Sequence, residues 1–183
     1  MIIAVIGGDP APQGALDQAE AVGSEIARRG HILISGGRGG VMEAACKGAS
    51  EAGGLTIGVL PDSDRGEMNA YVQIPIVSGI GRARNLTIAL SADAVIAIDG
   101  GYGTLSEIAF ALQHAKPVAG LNTWRLESDG AEVVSIFHTD DPAKAVTWAI
   151  EAALADGPVE NRANDERRAS PSPKSERGTE GVR

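Results

Sequence analysis

Two glycine-rich segments carry the residue types and spacing in this chain that could do chemistry. The first reads Ser35-Gly-Gly-Arg-Gly-Gly-Val-Met42 and contains four glycines in five positions, which are Gly36, Gly37, Gly39 and Gly40. Glycine lets the backbone approach a ligand closely, and the N-terminus of a following helix adds unpaired N–H groups and a positive dipole end. The segment therefore predicts a phosphate-binding loop. The alternative is a tight turn that serves helix–strand packing, and Arg38 could equally be solvated.

The second segment reads Asp99-Gly-Gly-Tyr-Gly-Thr-Leu-Ser-Glu107 and repeats this pattern with Gly100, Gly101 and Gly103. Thr104 and Glu107 also have the spacing of a capping box, in which each side chain accepts from a backbone donor at a helix start. On spacing alone, that structural role for Glu107 stands slightly ahead of a catalytic one. Tyr102 either stacks on a base or ring of a ligand or covers the loop.

A third segment, Gly79-Ile-Gly-Arg82-Ala-Arg84-Asn85, places two arginines at the start of a predicted helix. Positions i and i+2 of a helix point in different directions, so at most one arginine is expected to face a ligand. An arginine there could clamp a phosphate or carboxylate with two parallel hydrogen bonds. The alternative is a surface ion pair worth about 0–1 kcal/mol.

Composition and charge limit the classes of function. The chain has 183 residues and a formal net charge of −8. Residues 158–183 hold six basic and five acidic side chains and almost no large apolar ones, which predicts a mostly disordered tail after a single domain over 1–157. The domain holds 10 basic and 19 acidic side chains, so an extended nucleic-acid surface is not expected. Any anion must be bound by local devices such as helix N-termini and a few arginines.

Several familiar chemistries are missing from the sequence. The P-loop pattern G-x-x-x-x-G-K-[ST] does not occur, and the first predicted strand is followed by Gly7-Gly8-Asp-Pro rather than G-x-G-x-x-G. The three histidines lack metal-ligand spacing, and Cys46 is expected to be a small buried residue, so no metal site is predicted. No apolar run approaches the about 20 residues of a membrane span, and the start has no basic leader. We therefore expect a cytoplasmic protein without a membrane partner.

The elements that must position these segments alternate along the chain. Short, continuously apolar strands are separated by segments with helical spacing, which is the pattern of a parallel sheet covered on both faces. The prediction is an α/β, Rossmann-like, doubly wound parallel sheet in a single domain. Its predicted strands cover 2–6, 31–34, 55–60, 72–77, 94–98, 118–121 and 133–137, and its predicted helices cover 13–29, 41–52, 82–91, 105–115 and 142–155.

In such sheets, ligands bind outside the carboxyl ends of the strands, and both glycine segments follow strands. We therefore expect both segments on one edge of the sheet. The helices over 82–91 and 105–115 are rich in alanine. These alanines either pack across a two-fold axis between subunits or pack on the sheet within one chain.

Taken in order, these segments resemble the LONELY GUY (LOG) superfamily. Its signature is P-G-G-x-G-T-x-x-E, together with a G-G-G-x-x-G-x-M loop and an upstream arginine. The match over Gly100 to Glu107 is specific, and the resemblance covers about residues 1 to 155. Within the superfamily, the chain looks most like the bacterial and archaeal branch close to molybdenum-cofactor carrier proteins.

The resemblance implies a phosphoribohydrolase that cleaves the N-glycosidic bond of a nucleoside 5′-monophosphate to free base and ribose 5-phosphate. It places the catalytic arginine on Arg84 and the catalytic glutamate on Glu107. It implies that the phosphate is held by Gly101, Gly103 and Thr104, with Gly100, Tyr102 and Asn85 beside them. The first glycine segment, with Met42, would shape the pocket. No metal or cofactor is required, and a homodimer or higher homo-oligomer is expected.

Two residues depart from the superfamily pattern. Asp99 stands where the signature has proline, and Asn85 follows Arg84 where LOG enzymes usually have lysine. The additional anion of Asp99 and the missing cation at position 85 both weaken phosphate binding of the kind that LOG enzymes use. The alternative function is therefore a non-catalytic carrier or sensor for molybdenum cofactor, a nucleotide or another phosphorylated small molecule. The intact Gly-Thr-x-x-Glu favours catalysis, whereas Asp99 and Asn85 favour binding.

Overall fold

The architecture is an α/β fold built on one parallel sheet. The computed structural model describes residues 1–128, 131–132 and 136–155. In chain order, its elements are β1 (Ile2–Gly7), α1 (Gln13–Arg28), β2 (Ile32–Ser35), α2 (Val41–Glu51), β3 (Thr56–Leu60), β4 (Ile74–Val77), α3 (Arg84–Ser91), β5 (Ala94–Ile98), α4 (Tyr102–Gln113), β6 (Val118–Leu121), β7 (Glu127–Ser128), β8 (Ala131–Glu132), β9 (Ile136–His138) and α5 (Pro142–Leu154).

The strand order of the main sheet is β4-β3-β2-β1-β5-β6-β9, and all its neighbouring strands pair in parallel. Successive strands are added outward from β1 to β4 on one side, and then from β5 to β9 on the other. The order therefore reverses between β1 and β5, which is the topological switch point where doubly wound sheets bind ligands. The predicted Rossmann-like fold is confirmed.

The apolar strands form the centre of two hydrophobic cores, one on each face of the sheet. All five residues of β5 are buried, as are the four central residues of β1. One core cluster includes Ile3, Val5 and Ile96, and the other includes Ala4, Ile6 and Val95, so alternate residues of a strand serve opposite faces. Ala89, Ala92 and Ala111 are buried in the second cluster, so these alanines pack within the chain.

Helices α1 and α2 lie on the same face of the sheet, and their backbones approach each other closely. A Cβ added at Gly48 of α2 would overlap the carbonyl oxygen of Glu20 in α1. Only glycine allows this backbone-to-backbone approach. The contact matters for the site because α2 begins at the end of the first glycine segment.

Some predicted boundaries differ from the structure. The predicted helix over 82–91 is a short 3₁₀ turn at Gly81–Ala83 followed by α3, and the predicted strand over 72–77 is shortened to β4. The predicted strand over 133–137 corresponds to β9, while residues 133–135 lie outside the described residues. The antiparallel pair of β7 and β8 was not predicted. The predicted tail over 158–183 also lies outside the described residues.

The most consequential difference concerns α4. It begins at Tyr102, three residues before the predicted start, and its N-cap is Gly101, with no side-chain capping hydrogen bond. The predicted capping box between Thr104 and Glu107 is therefore wrong. Thr104 and Glu107 both lie inside the helix. The helix has already begun at Tyr102, so Gly103 and Thr104 continue it.

Candidate functional site

The two glycine segments lie on the same edge of the sheet because β2 and β5 run parallel. The loop after β1 lies between them, since β1 pairs with both strands. The Val41 N–H donates to the Gly8 carbonyl at 3.0 Å, which joins the first segment to this loop. On the other side, a Cβ added at Gly8 would lie 3.2 Å from Oδ2 of Asp99 and 3.6 Å from Cα of Gly100. Three loops therefore meet at the switch point.

The Arg84 side chain contacts both glycine segments. Its side chain is buried, with 8% of the residue exposed, and Nη1 donates to Oε1 of Glu107 at 3.2 Å. A Cβ added at Gly36 would overlap Nη2 of the same guanidinium and lie 2.6 Å from Sδ of Met42. Glycine at position 36 is thus what allows the arginine to lie against the first segment while it pairs with the second. Arg82 is exposed, as expected for two arginines two positions apart.

One donor of Arg84 has no partner. Within the described residues, Nε of Arg84 is buried and makes no hydrogen bond. An unpaired buried donor is unfavourable, and native structures contain few of them outside functional sites. Burial lowers the pKa of Arg84, and nearby Arg38 lowers it further, whereas Glu107 raises it. A guanidinium nevertheless stays protonated in proteins, so Arg84 is a buried cation with unused hydrogen-bonding capacity.

Glu107 is held in an environment that weakens its acidity. Only 6% of the residue is exposed, and burial raises its pKa to about 7 although Arg84 acts in the opposite direction. At neutral pH, the carboxyl is therefore poised between its two protonation states. A group of this kind can hold or release a proton near physiological pH, which is the property required of a general acid or base.

Asn85 acts as a support for this pair. Its Oδ1 accepts from Nη1 of Arg84 at 2.8 Å, and its Nδ2 donates to the Gly103 carbonyl at 3.3 Å and to the Ser106 hydroxyl at 3.0 Å. The side chain is buried and fully engaged, so it fixes α3 against the start of α4. The structure thus places Asn85 beside the site as a positioning residue, without a free donor for a ligand.

The N-terminus of α4 supplies the open backbone donors of the second segment. The first intrahelical bond runs from the Leu105 N–H to the Gly101 carbonyl, so the amides of the three residues before Leu105 have no partner within the helix. A Cβ added at Gly101 or Gly103 would meet no atom within 4 Å, so both glycines face open space. Thr104 is buried, with its side chain against Gly100. This helix start is built like an anion site.

The first segment is only partly available to a ligand. The Gly37 N–H donates to the Ser35 hydroxyl and its carbonyl accepts from the Asn69 N–H, so Gly37 has the structural role considered above for this loop. Gly39 and Gly40 lie against Asp9. Arg38 forms an ion pair with Glu67 and is partly exposed, so it is not simply solvated.

Sequence reasoning missed two sets of supporting residues. Asn69 is buried and donates from Nδ2 to the Arg38 carbonyl at 2.9 Å, which fastens a distant polar loop to the first segment. Beside the second segment, Thr123 donates to the Asp99 carbonyl at 2.7 Å and Nε1 of Trp124 donates to the Gly101 carbonyl at 3.2 Å. The rarity of tryptophan, with two in the chain, was the only available signal.

Two further findings concern possible metal-binding groups and possible membrane-spanning helices. Among the residues that the structure describes, no group of three or more His, Cys, Asp or Glu side chains could hold a metal ion. In the same ranges, no helix is long and apolar enough to span a bilayer. Cys46 is buried as expected, and its sulfur lies 3.4 Å from the Ser35 hydroxyl.

Two solved protein structures resemble this chain in both sequence and fold. The chain is 41% identical to the molybdenum cofactor carrier protein MCP of Chlamydomonas reinhardtii, with a TM-score of 0.72 over 84% of this chain and 98% of that one. It is 36% identical to the molybdenum cofactor binding protein of Rippkaea orientalis, with a TM-score of 0.73 over 84% and 97% of the two chains.

Two curated relatives complete the comparison. A protein of Archaeoglobus fulgidus is 42% identical over 84% of this chain and 97% of its own length. A probable cytokinin riboside 5′-monophosphate phosphoribohydrolase of Oryza sativa subsp. japonica is 33% identical over 58% of this chain, and the match spans about half of that relative, 51%.

The family is shown by a match over most of the chain. Residues 1–149 match the model of the SLOG cluster4 family, and this range contains both glycine segments, Arg84 and Glu107. The likeness to LOG phosphoribohydrolases and to molybdenum cofactor carriers agrees with that match. The chain therefore belongs to the SLOG cluster4 family, and its fold is that of the LOG-like and molybdenum cofactor carrier-like proteins.

Proposed function

We propose that this protein binds a phosphorylated small molecule at the carboxyl edge of β1 and β5. The observation that carries the proposal is Arg84, a buried cation that touches both glycine segments and keeps an unpaired donor. Such a group has a large desolvation cost, which an anionic ligand offsets. The open start of α4 lies on the same edge and adds backbone N–H donors.

In this proposal, each residue of the two glycine segments and of the Arg84–Asn85 pair has a defined task. The amides of Gly101, Tyr102, Gly103 and Thr104 hold the phosphate, and Gly36 and Met42 shape the wall against which Arg84 lies. Gly39 and Gly40 lie against Asp9 and, together with Gly37, Gly100 and Asn85, hold the loops around the ligand in place. Because these donors are backbone groups and one arginine, they suit an anion in a domain that is acidic overall.

The favoured ligand class is a phosphorylated pterin such as molybdenum cofactor, bound as cargo and not converted. Two solved relatives that this chain spans almost end to end, from Rippkaea orientalis and Chlamydomonas reinhardtii, are a binding protein and a carrier protein for that compound. Asp99 and Asn85, the two departures from the LOG pattern, point the same way. Glu107 then serves to keep Arg84 oriented through its 3.2 Å hydrogen bond.

The second candidate is hydrolysis of a nucleoside 5′-monophosphate to base and ribose 5-phosphate. It is favoured by Glu107, whose pKa of about 7 and burial beside Arg84 suit a carboxyl that orients water. The ionised form would also stabilise an oxocarbenium-like transition state at C1′. In this reaction, the C1′–N bond breaks, water supplies the hydroxyl at C1′ and a proton goes to the departing base.

A ligand panel tests the proposal. We expect phosphorylated pterins or nucleoside 5′-monophosphates to raise the thermal unfolding temperature, because a ligand that binds only the folded state stabilises it by mass action. Chromatography of the same samples measures released base and separates binding from hydrolysis. A panel in which no phosphorylated compound shifts the unfolding temperature contradicts the proposed function.

Two arginines offer a matched pair of variants. Arg84→Ala removes the buried cation and should abolish the ligand-induced shift, whereas Arg82→Ala removes an exposed cation two residues away and should leave it unchanged. Arg84→Lys keeps the charge without the planar fork and should bind more weakly than the wild type. Equal binding by the Arg84→Ala and Arg82→Ala proteins would place the anion elsewhere.

A further inference from the structure

An exposed aromatic ring stands at the start of α4, next to the open backbone donors. Tyr102 is 83% exposed, which is the highest value among the exposed large apolar or aromatic side chains of the described residues. The chain has six aromatic residues, and all of them lie within the described ranges. The other five are partly buried, so Tyr102 is the most exposed ring of the chain.

A second ring lies beside it and is fixed in place. The ring centroids of Tyr102 and Trp124 are 5.9 Å apart, with an angle of 31° between the ring planes. Trp124 is partly buried against the hydrophobic core on one face of the sheet, and its Nε1 donates to the Gly101 carbonyl. The adjacent Thr123 hydroxyl donates to the Asp99 carbonyl. Two consecutive residues thus tie this ring to the second glycine segment.

We propose that Tyr102 and Trp124 form an aromatic wall that stacks on the planar heterocycle of the ligand whose phosphate is held at the start of α4. This inference rests on the proposed function and adds that the ligand is a phosphate ester bearing a ring system, either a pterin or a purine. Aromatic side chains stack on such rings irrespective of hydrogen-bond pattern, so the wall supplies affinity for the ring while the glycine segments hold the phosphate.

Trp124 has the role of a positioning residue as well as a stacking one. Its indole N–H donates to the carbonyl of the N-cap residue of α4, which ties the ring to the start of that helix. The ring site therefore lies next to the phosphate site proposed at that helix start. A ligand with phosphate but no ring would use only half of the site.

Fluorescence of the full chain tests the wall, because there are only two tryptophans. The ring centroids of Trp148 and Phe137 are 4.9 Å apart, and both residues are distant in sequence from the glycine segments. The variant Trp148→Phe keeps an aromatic ring at this position and leaves Trp124 as the single tryptophan that fluoresces. The probes are GMP, whose ring carries the same 2-amino-4-oxo pyrimidine as a pterin, and ribose 5-phosphate, which has no heterocycle. We expect GMP to quench Trp124 emission and ribose 5-phosphate to bind without quenching. Titrations are read within the period in which chromatography detects no released base.

The matched variants are Tyr102→Ala and Tyr102→Phe, both in the Trp148→Phe background. Tyr102→Ala removes the ring but keeps the backbone amide, so it should weaken GMP binding on the order of 10-fold more than it weakens ribose 5-phosphate binding, whereas Tyr102→Phe should restore GMP binding. An equal loss of affinity for both probes, or no loss of affinity for GMP, would overturn the aromatic wall while leaving the proposed function intact. A change of oligomeric state in Tyr102→Ala without a change in GMP affinity would also overturn it. Failure of both probes to bind the wild-type protein would contradict the proposed function, and the wall with it.

Discussion

At the scale of single residues, Arg84 and Glu107 form a buried pair in which each side chain sets the properties of the other. The guanidinium remains charged, while burial raises the pKa of the Glu107 carboxyl to about 7. A buried pair of this kind stabilises a fold poorly, because desolvation consumes most of the Coulombic gain. Its position between two glycine segments is better explained by a ligand that needs a fixed cation than by folding.

The first residue-scale prediction concerns pH and stability. The pKa of Glu107 is raised above its ordinary value of 4.5, so the folded state binds this proton more tightly than the unfolded state does. The contribution of Glu107 to the unfolding free energy is therefore fully present below pH 4.5 and is lost as the pH rises to about 7. Relative to Glu107→Gln, the wild type should lose up to about 1.4 kcal/mol per pH unit in this window. Denaturant unfolding at several pH values measures the difference, and parallel curves would contradict the shifted pKa.

A second residue-scale prediction separates binding from turnover. Glu107→Gln keeps an oxygen that can accept from Arg84 but removes the carboxylate, so ligand-induced stabilisation should persist. Any release of base from a nucleoside 5′-monophosphate should disappear, because the amide can neither ionise nor take up a proton. Chromatography measures the release and thermal unfolding measures the binding. Base release that survives in Glu107→Gln would assign hydrolysis to another group.

At the scale of elements, α2 is held against α1 by a contact near its C-terminal end, at Gly48, that tolerates no side chain. The variant Gly48→Ala should destabilise the protein by about 1–3 kcal/mol or more, because a Cβ there would overlap the Glu20 carbonyl oxygen. Gly14→Ala is the matched control. It lies in α1 with no atom within 4 Å of an added Cβ, and it should stabilise by about 0.4–1 kcal/mol. Chemical denaturation measures both variants, and similar effects would contradict the packing described for α1 and α2.

The loop after β3 is a second element-scale feature, because Asn69 fastens it to the first glycine segment. Asn69→Ala removes the donor to the Arg38 carbonyl and the acceptor for the Tyr71 N–H, and it should cost about 1–3 kcal/mol of unfolding free energy. Asn69→Asp keeps the acceptor for the Tyr71 N–H but replaces the donor to Arg38 by a carboxylate oxygen that repels the Arg38 carbonyl, so it should also be destabilised. Ligand affinity should fall in both variants. A stable Asn69→Ala protein with unchanged ligand affinity would show that this loop does not hold the site.

At the scale of the whole molecule, the apolar surface is unevenly distributed. Exposed apolar side chains concentrate on the edge strand β4 and the residues directly after it, namely Ile74, Ile76, Val77 and Ile80. An exposed edge strand with apolar side chains is a surface for association. We expect this surface to pair with a second copy of the chain, which gives the homo-oligomer predicted from the sequence a location other than the buried alanines.

This assembly is tested by placing a charge on the edge. Ile76→Lys should shift the protein toward the monomer in sedimentation velocity, because a cation on an edge strand opposes pairing with a copy of itself. Leu154→Lys changes another exposed apolar residue, at the end of α5, and should leave the sedimentation coefficient unchanged. A wild type that sediments as a monomer at all concentrations would contradict the expected oligomer.

Much of this organisation was decided by local sequence. Continuously apolar strands alternating with amphipathic helices can be buried only as a parallel sheet with helices on both faces, so the fold and the shared edge of the glycine segments were predictable. The motif from Gly100 to Glu107 was sufficient to indicate the family. These features depend on residues close together in the chain, whose spacing is visible in the sequence.

Other features were decided only by the tertiary structure, because they depend on contacts between distant residues. Spacing predicted a capping box for Glu107, but α4 starts earlier and the carboxyl pairs instead with Arg84, 23 positions away. In the same way, Trp124 and Asn69 have no motif, and packing alone brings them to the glycine segments. The burial that raises the pKa of Glu107 likewise comes from the assembled sheet and helices, which no run of neighbouring residues encodes.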